Sequence, residues 1–126
     1  MNLAGGALIL LIVLGWAIAS FAACEGVAGA NPRMWCLSEE VKRLDKIVNA
    51  TYRKASQKVE SPDLLKQDQD FWRDTRDSDC RATSPTGEQW EECRVRSTQE
   101  RLEQLNSVLS ATCAPSSRFC VRLKAR

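Results

Sequence analysis

The sequence predicts an all-α fold: a disulfide-stapled, antiparallel three-helix hairpin or bundle after an N-terminal signal segment. Apolar residues recur at three- and four-residue intervals along three segments, and breaks containing Pro or Gly separate them. No segment shows the strict alternation of apolar and polar residues that a half-buried strand requires. Six cysteines follow an uncharged apolar run at the start of the chain, which indicates an exported protein cross-linked by disulfides.

The N-terminal segment is typical of an export signal. Residues 3–23 carry no charge and are rich in Leu, Ile, Val and Ala. Because the run lies at the extreme N-terminus and ends in small residues, we predict a signal peptide over residues 1–19, with a cut as late as residue 23 also compatible. The protein would then reside in the periplasm or cell envelope. An uncleaved membrane anchor, or a lipidated Cys24 after the lipobox-like residues 21–23, is the alternative.

We place the exported domain at residues 20–110. Its first helix is predicted over residues 39–59. Ser38 is a suitable N-cap, and the two glutamates after it suit the positive end of a helix. A single apolar stripe supports the helix. Its residues are Val41, Leu44, Val48, Tyr52, Ala55 and Val59.

The second helix is predicted over residues 62–80. Ser61 can cap it, and Pro62 stands at the first helical position, where its missing N–H is not needed. Residues 81–87 form a loop by composition. The apolar side of the helix comprises Leu64, Leu65, Phe71, Trp72 and Cys80.

The third helix is predicted over residues 88–110, and a basic, Cys-containing tail follows over residues 111–126. Short connections make neighbouring helices antiparallel. The inward residues of the third helix are Trp90, Cys93, Leu102, Leu105, Val108 and Leu109. The tail adds the cations Arg118, Arg122, Lys124 and Arg126, which suit a solubilising end or contact with anionic lipid or cell-wall polymer.

The cysteines form an even set, and an even set in an exported chain implies disulfides. Spacing alone leaves every pairing open. Sequential pairing is the simplest, because each bond then closes a short local loop. The expected pairs are Cys24 with Cys36, Cys80 with Cys93, and Cys113 with Cys120. No CxxC pair is present, so a zinc cluster is not expected.

Charge is segregated along the chain, although the net charge is only +2. Residues 38–59 carry six Lys/Arg and three Asp/Glu, whereas residues 62–80 carry three Lys/Arg and six Asp. Asp70, Asp74 and Asp77 recur at helical spacing and can share one face. The segregation favours complementarity between helices; the functional alternative is an acidic surface that recognises a basic partner.

Catalytic chemistry is not expected. The sequence has no His, which excludes His general bases, Ser-His and Cys-His pairs and His-bearing metal sites. Carboxylates are plentiful, but a small helical stack rarely forms the cleft that paired carboxylates need. We therefore expect a non-enzymatic protein without a cofactor or metal, and the near-balanced charge gives no indication of nucleic-acid binding.

A spaced motif resembles the LprI-like lysozyme-inhibitor domain family over residues 24–105. Its elements are Cys24-x11-Cys36, Leu44-Asp45, Tyr52, Gln69-x2-Trp72-x3-Arg76-Asp77-x2-Cys80 and Cys93-x4-Thr98-x2-Arg101-x3-Leu105. The resemblance implies a small, exported helical protein of the bacterial envelope in which Cys24 is a disulfide partner. It also implies a protein partner, a lysozyme.

Most motif residues suit the frame of the fold. Trp72 is expected to pack between helices. Arg76 and Arg101 are expected to pair with carboxylates such as Asp45 or Asp77, because a planar guanidinium suits bidentate binding. A partner is expected to contact the loop over residues 81–90. The candidate partner-binding residues are Asp70, Asp74, Asp77 and Trp90, the last of which could equally belong to the core.

Two functions remain open, and the first of them is the one that the resemblance implies. The first is an inhibitor that blocks a peptidoglycan-cleaving muramidase by inserting a rigid loop or an acidic face into its substrate cleft. The second is a structural or adaptor module of the envelope, without an enzyme target. Inhibition of a lysozyme would support the first, and recovery of an assembly component rather than a hydrolase would support the second.

Overall fold

The three helices pack side by side in the computed structural model, which describes residues 24–110. In chain order they are α1 (Ala30–Ser56), α2 (Pro62–Thr83) and α3 (Gly87–Leu109). Arg33, near the start of α1, binds Glu88 near the start of α3 at 2.6 Å. Arg101, near the end of α3, binds Asp68 near the start of α2 at 2.6 Å. α1 and α3 are therefore parallel and α2 is antiparallel to both, which confirms the predicted three-helix architecture.

The first helix begins at Ala30, well before the predicted start, so the prediction of Ser38 as its N-cap was wrong. Gly29 is the cap residue, with φ 94°, a conformation that residues with a Cβ rarely adopt. Pro32 follows in the first turn, where no intrahelical donor is lost. A glycine cap offers no side-chain acceptor, so it leaves a weaker sequence signal than Ser38, which lies inside the helix.

The connection between α2 and α3 is much shorter than predicted. α2 begins at Pro62 as expected but continues to Thr83, and α3 begins at Gly87. The hydroxyl of Thr86 caps α3 by accepting a hydrogen bond from the Gln89 N–H at 3.2 Å. The expectation of a loop over residues 81–90 was therefore wrong, because most of that range is helical, whereas contact of this range with a partner stays a prediction.

Two apolar clusters form the core, and both join α1 to α3. One cluster contains Val48, Ala55, Leu65 and Leu105. The other contains Cys24, Leu37, Val41, Leu44 and Val95. Burying each large aliphatic side chain stabilises the fold by about 1.5–3 kcal/mol. α2 contributes only Leu65 to these buried sets, and Phe71, predicted to face inward, is instead 67% exposed.

Within residues 24–110 the structure contains two disulfides, and both were predicted. Cys24 and Cys36 are joined with a Cα–Cα distance of 5.9 Å, and Cys80 and Cys93 with one of 5.5 Å. The sulfur of Cys24 is thus occupied, which contradicts the alternative of lipidation at that sulfur. The predicted third pair, together with the signal segment and the basic tail, lies outside the described residues. No helix described in residues 24–110 is both long and apolar enough to span a membrane.

Candidate functional site

The motif residues meet in a polar layer between the helices, centred on Arg76. Only 7% of the Arg76 side chain is exposed. Its Nη1 donates to Asp45 Oδ1 of α1 at 2.6 Å and to Thr98 Oγ1 of α3 at 3.1 Å. Its Nε donates to Asp77 Oδ1 at 2.9 Å. One guanidinium from α2 therefore ties all three helices together.

Arg101 forms the second centre of this layer and is 1% exposed. Its Nε donates to Gln69 Oε1 at 2.8 Å, and its Nη1 donates to Asp68 Oδ2 at 2.6 Å. Gln104, one turn further along α3, accepts a third bond from Nη1 at 3.1 Å. These bonds fix α3 to the first half of α2. A buried cation is tolerated here because a carboxylate and two amide oxygens surround it.

Trp72 lies between the two arginines. The Cζ atom of Arg76 is 5.1 Å from the centre of a Trp72 ring, and that of Arg101 is 5.8 Å away. Both distances permit cation–π attraction. The indole Nε1 donates to Ser97 Oγ at 3.3 Å. The Trp72 side chain thus contacts neighbours within the bundle. We name the set Trp72, Arg76, Arg101 and their polar partners the arginine layer.

Asp77 and Trp90 lie at the interface of α2 and α3, and sequence reasoning offered both as partner-binding candidates. Asp77 Oδ1 also accepts from Arg94 Nε at 3.0 Å, and its carbonyl oxygen accepts from Trp90 Nε1 at 3.2 Å. Arg94 covers the Trp90 ring at 4.5 Å. Partial burial opposes ionisation of Asp77, but the bonds and charges of Arg76 and Arg94 outweigh it and lower the pKa of this carboxyl.

The other two candidates, Asp70 and Asp74, lie on the outward side of α2. Positions 63, 67, 70 and 74 recur at three- and four-residue intervals and share that side. The Lys66 ammonium donates a hydrogen bond that lowers the pKa of Asp70, and Arg73 binds the same carboxylate at 2.8 Å. Asp74 has no ion pair within residues 24–110. We define the α2 outer face as Asp63, Asp70, Phe71 and Asp74.

Phe71 is the most unusual member of that face. It is 67% exposed, and it is one of only four large apolar side chains exposed within the described range. Asp74 stands three residues after Phe71, so its carboxylate lies one turn along the helix from the ring. Asp70, four residues before Asp74, lies beside it on the same acidic side of α2. The α2 outer face therefore presents an uncovered aromatic ring on an acidic helix surface, a combination that suits recognition of a protein.

Sequence reasoning missed Arg33, Arg94 and Trp35. Arg33 binds Glu88 at 2.6 Å and Glu92 at 3.0 Å, and it also donates to the Cys24 carbonyl. These contacts were hidden because the helix was predicted to begin after residue 33. Trp35 is 69% exposed on the same unrecognised part of α1. The sequence signal that could have identified Trp35 is its position seven residues before Lys42, because that interval places both residues on the same side of a helix.

The comparison with protein families now decides the relationship. A family model described as "Lysozyme inhibitor LprI" matches residues 24–105, which include both disulfides and the whole arginine layer. The chain belongs to the lysozyme inhibitor LprI family. This confirms the resemblance carried by the motif. No curated protein and no solved structure matches the chain.

Membership in the LprI family supports lysozyme-inhibitor-like function in general, and such a function needs a binding surface rather than catalytic chemistry. Within residues 24–110 no cluster of three or more acidic or sulfur side chains could hold a metal ion. A shallow depression lined by Asp77, Ser78, Arg81 and Ala82 lies beside the α2–α3 connection. The α2 outer face is the better binding candidate in this LprI-family protein, because the side chain of Asp77 is already bound by two arginines.

Proposed function

We propose that this protein is an exported, non-enzymatic inhibitor that blocks a muramidase in the periplasm or cell envelope through the α2 outer face. Family membership supports the inhibitor class. The observation that supports this face is Phe71, a ring 67% exposed on a helix that is otherwise polar on that side. Burying such a ring at an interface contributes about 1.5–3 kcal/mol.

The charges around Phe71 suit an enzyme with a basic surface. Asp63 and Asp74 have no ion pair within the described residues, so their charges remain available to a partner. An acidic face speeds encounter with a basic partner and fixes the orientation in which the two dock. The exposed ring then supplies the apolar contact that slows dissociation.

The rigidity of the scaffold supports tight binding. The arginine layer holds α2 against both other helices, and the Cys80–Cys93 disulfide joins its end to α3. A helix held in this way loses little conformational freedom when a partner binds, so less of the contact energy is offset by ordering. This rigid helix takes the place of the binding loop that the sequence suggested.

Inhibition of muramidase activity tests the proposal. Purified oxidised protein is titrated against several lysozyme types on a soluble peptidoglycan substrate. We expect stoichiometric inhibition of at least one type, and a loss of about 30-fold in affinity for Phe71→Ala, the effect of removing a hot-spot ring. Trp35→Ala is the matched control, since Trp35 is equally exposed but lies on α1.

Two results would contradict the proposal at different levels. If every lysozyme stays fully active at excess inhibitor, the protein is not a muramidase inhibitor. In that case, co-purification of an envelope assembly component would favour a structural or adaptor role. If inhibition is strong but Phe71→Ala matches the native protein, the inhibitor class stands and the α2 outer face is wrong.

A further inference from the structure

A second surface lies on α1, on the side that faces solvent. Trp35, Lys42, Lys46 and Arg53 are all exposed and recur at intervals of seven, four and seven residues. Such intervals bring side chains to one side of a helix. The row extends over about 27 Å at the rise of an α-helix. We name these four residues the α1 basic row.

The charge of this row is largely unneutralised. Every carboxylate of α1 already binds a Lys or Arg, and these carboxylates are Glu39, Glu40 and Asp45. Of these three, only Glu39 neutralises a cation of the row, by binding Lys42 at 2.7 Å. Lys46 and Arg53 have no carboxylate partner within residues 24–110. Asp45, the sequence neighbour of Lys46, is bound to Arg76 of the arginine layer.

The shape of the row distinguishes between anionic partners. A helix that lies on a bilayer presents a broad apolar side next to its cations. Here the row contains one aromatic residue, Trp35, which is 69% exposed, and the outward-facing positions between its members, 38, 39, 49 and 50, are polar, charged or small. The exposed apolar residues Met34 and Ile47 lie on opposite sides of the row, so they do not form a broad apolar face with it. A narrow line of cations with an aromatic ring at one end fits a linear chain of anions better than a membrane surface.

We propose that the α1 basic row binds a linear phosphodiester polymer of the cell envelope. Lys42, Lys46 and Arg53 contact successive phosphates, and the ring of Trp35 covers the carbon chain between two of them. The site lies on a different helix from the α2 outer face and goes beyond inhibition. It would concentrate the protein at the anionic polymer beside the glycan that a muramidase attacks.

Binding to poly(glycerol phosphate) tests the proposal with the exported, oxidised protein, using an end-labelled polymer and fluorescence anisotropy over a range of salt. Lys46→Gln together with Arg53→Gln should weaken binding roughly tenfold at low salt. The slope of log affinity against log salt should fall by about 1.4, since two cations no longer displace counterions. Trp35→Ala should weaken binding about threefold with an unchanged slope, because burying a ring releases no counterions.

A matched double variant, Arg81→Gln with Arg96→Gln, removes the same charge from exposed positions of α2 and α3. It should retain native affinity and slope. The proposal is overturned if this control loses as much affinity as the α1 variant, if the polymer does not bind, or if anionic lipid vesicles bind and the polymer does not. The α1 variants should inhibit a muramidase as the native protein does, so failure of this inference and failure of the proposed inhibition are separable.

Discussion

Replacing Arg101 with Met should destabilise the fold by about 3–5 kcal/mol, the usual cost of breaking a buried ion pair by removing one partner. The side chain of Arg101 is 1% exposed and that of its partner Asp68 is 11% exposed. Met keeps most of the apolar stem in place. The change therefore removes mainly the guanidinium, and it leaves a carboxylate largely out of water and the buried Gln69 without its donor.

Arg76→Met provides the internal comparison. Arg76 is also buried, but the side chains of its partners Asp45 and Asp77 are 36% and 46% exposed. Water can solvate both carboxylates once the guanidinium is gone, so the expected loss is smaller, about 1–2 kcal/mol. The two arginines have similar neighbours, and the exposure of their carboxylate partners sets the difference.

Urea unfolding of the oxidised protein, followed by helical circular dichroism, measures both losses. Adding Asp68→Leu to Arg101→Met should recover much of the lost stability, since both charged partners are then absent. If Arg101→Met does not fold, Arg101→Lys keeps a cation near Asp68 and should cost about 1–2 kcal/mol. The reasoning is refuted if Arg101→Met costs no more than Arg76→Met, or if the added leucine lowers stability further.

Three other outcomes are expected. Replacing Cys80 and Cys93 by Ser should lower the free energy of unfolding by about 3 kcal/mol, which is the stabilisation expected from closing a loop of this length. Urea titration measures the loss. Asp77→Asn should make the loss of stability on acidification shallower. The pKa of Asp77 is lower in the folded state than in the unfolded state, where it is about 4. Ionised Asp77 therefore stabilises the fold fully above the unfolded-state pKa, and this contribution is lost as pH falls through the folded-state pKa. Unfolding curves from pH 6 to pH 2 test this, and equal slopes for both proteins would contradict it. Gly29→Ala should lower stability by about 1 kcal/mol because of its positive φ, whereas Gly26→Ala, with open space around its Cβ position, should be neutral in the same thermal unfolding assay.

Much of the fold could be predicted because its signals are local. Ser61 and Pro62 stand at the start of α2, where such residues are favoured, and sequential pairing of the cysteines predicted the two disulfides found within residues 24–110. The start of α1 could not be predicted in this way, since its cap is Gly29 and a glycine cap has no side-chain bond to read. The loop after α2 was overestimated because polar residues there continue the helix to Thr83.

The candidate site was harder to predict than the fold. Phe71 and Trp72 are neighbours in the sequence and look equally apolar, but adjacent positions on a helix differ by roughly 100°. Only one of them can face the other helices. Sequence pattern assigned both to the inside, whereas Trp72 enters the arginine layer and Phe71 is exposed. A residue of this kind is found only once the rotation of the helix is known.

The arginine layer also explains why the motif and the proposed binding surface consist of different residues. Arg76, Arg101 and Trp72 already bind one another or the other helices, so a partner could use them only by breaking buried contacts. Phe71 and Asp74 require no such rearrangement, because their side chains face solvent. Substitutions in the layer should therefore lower stability and affect inhibition only through unfolding. Substitutions at Phe71 and Asp74 should lower inhibition while the free energy of unfolding stays close to that of the native protein.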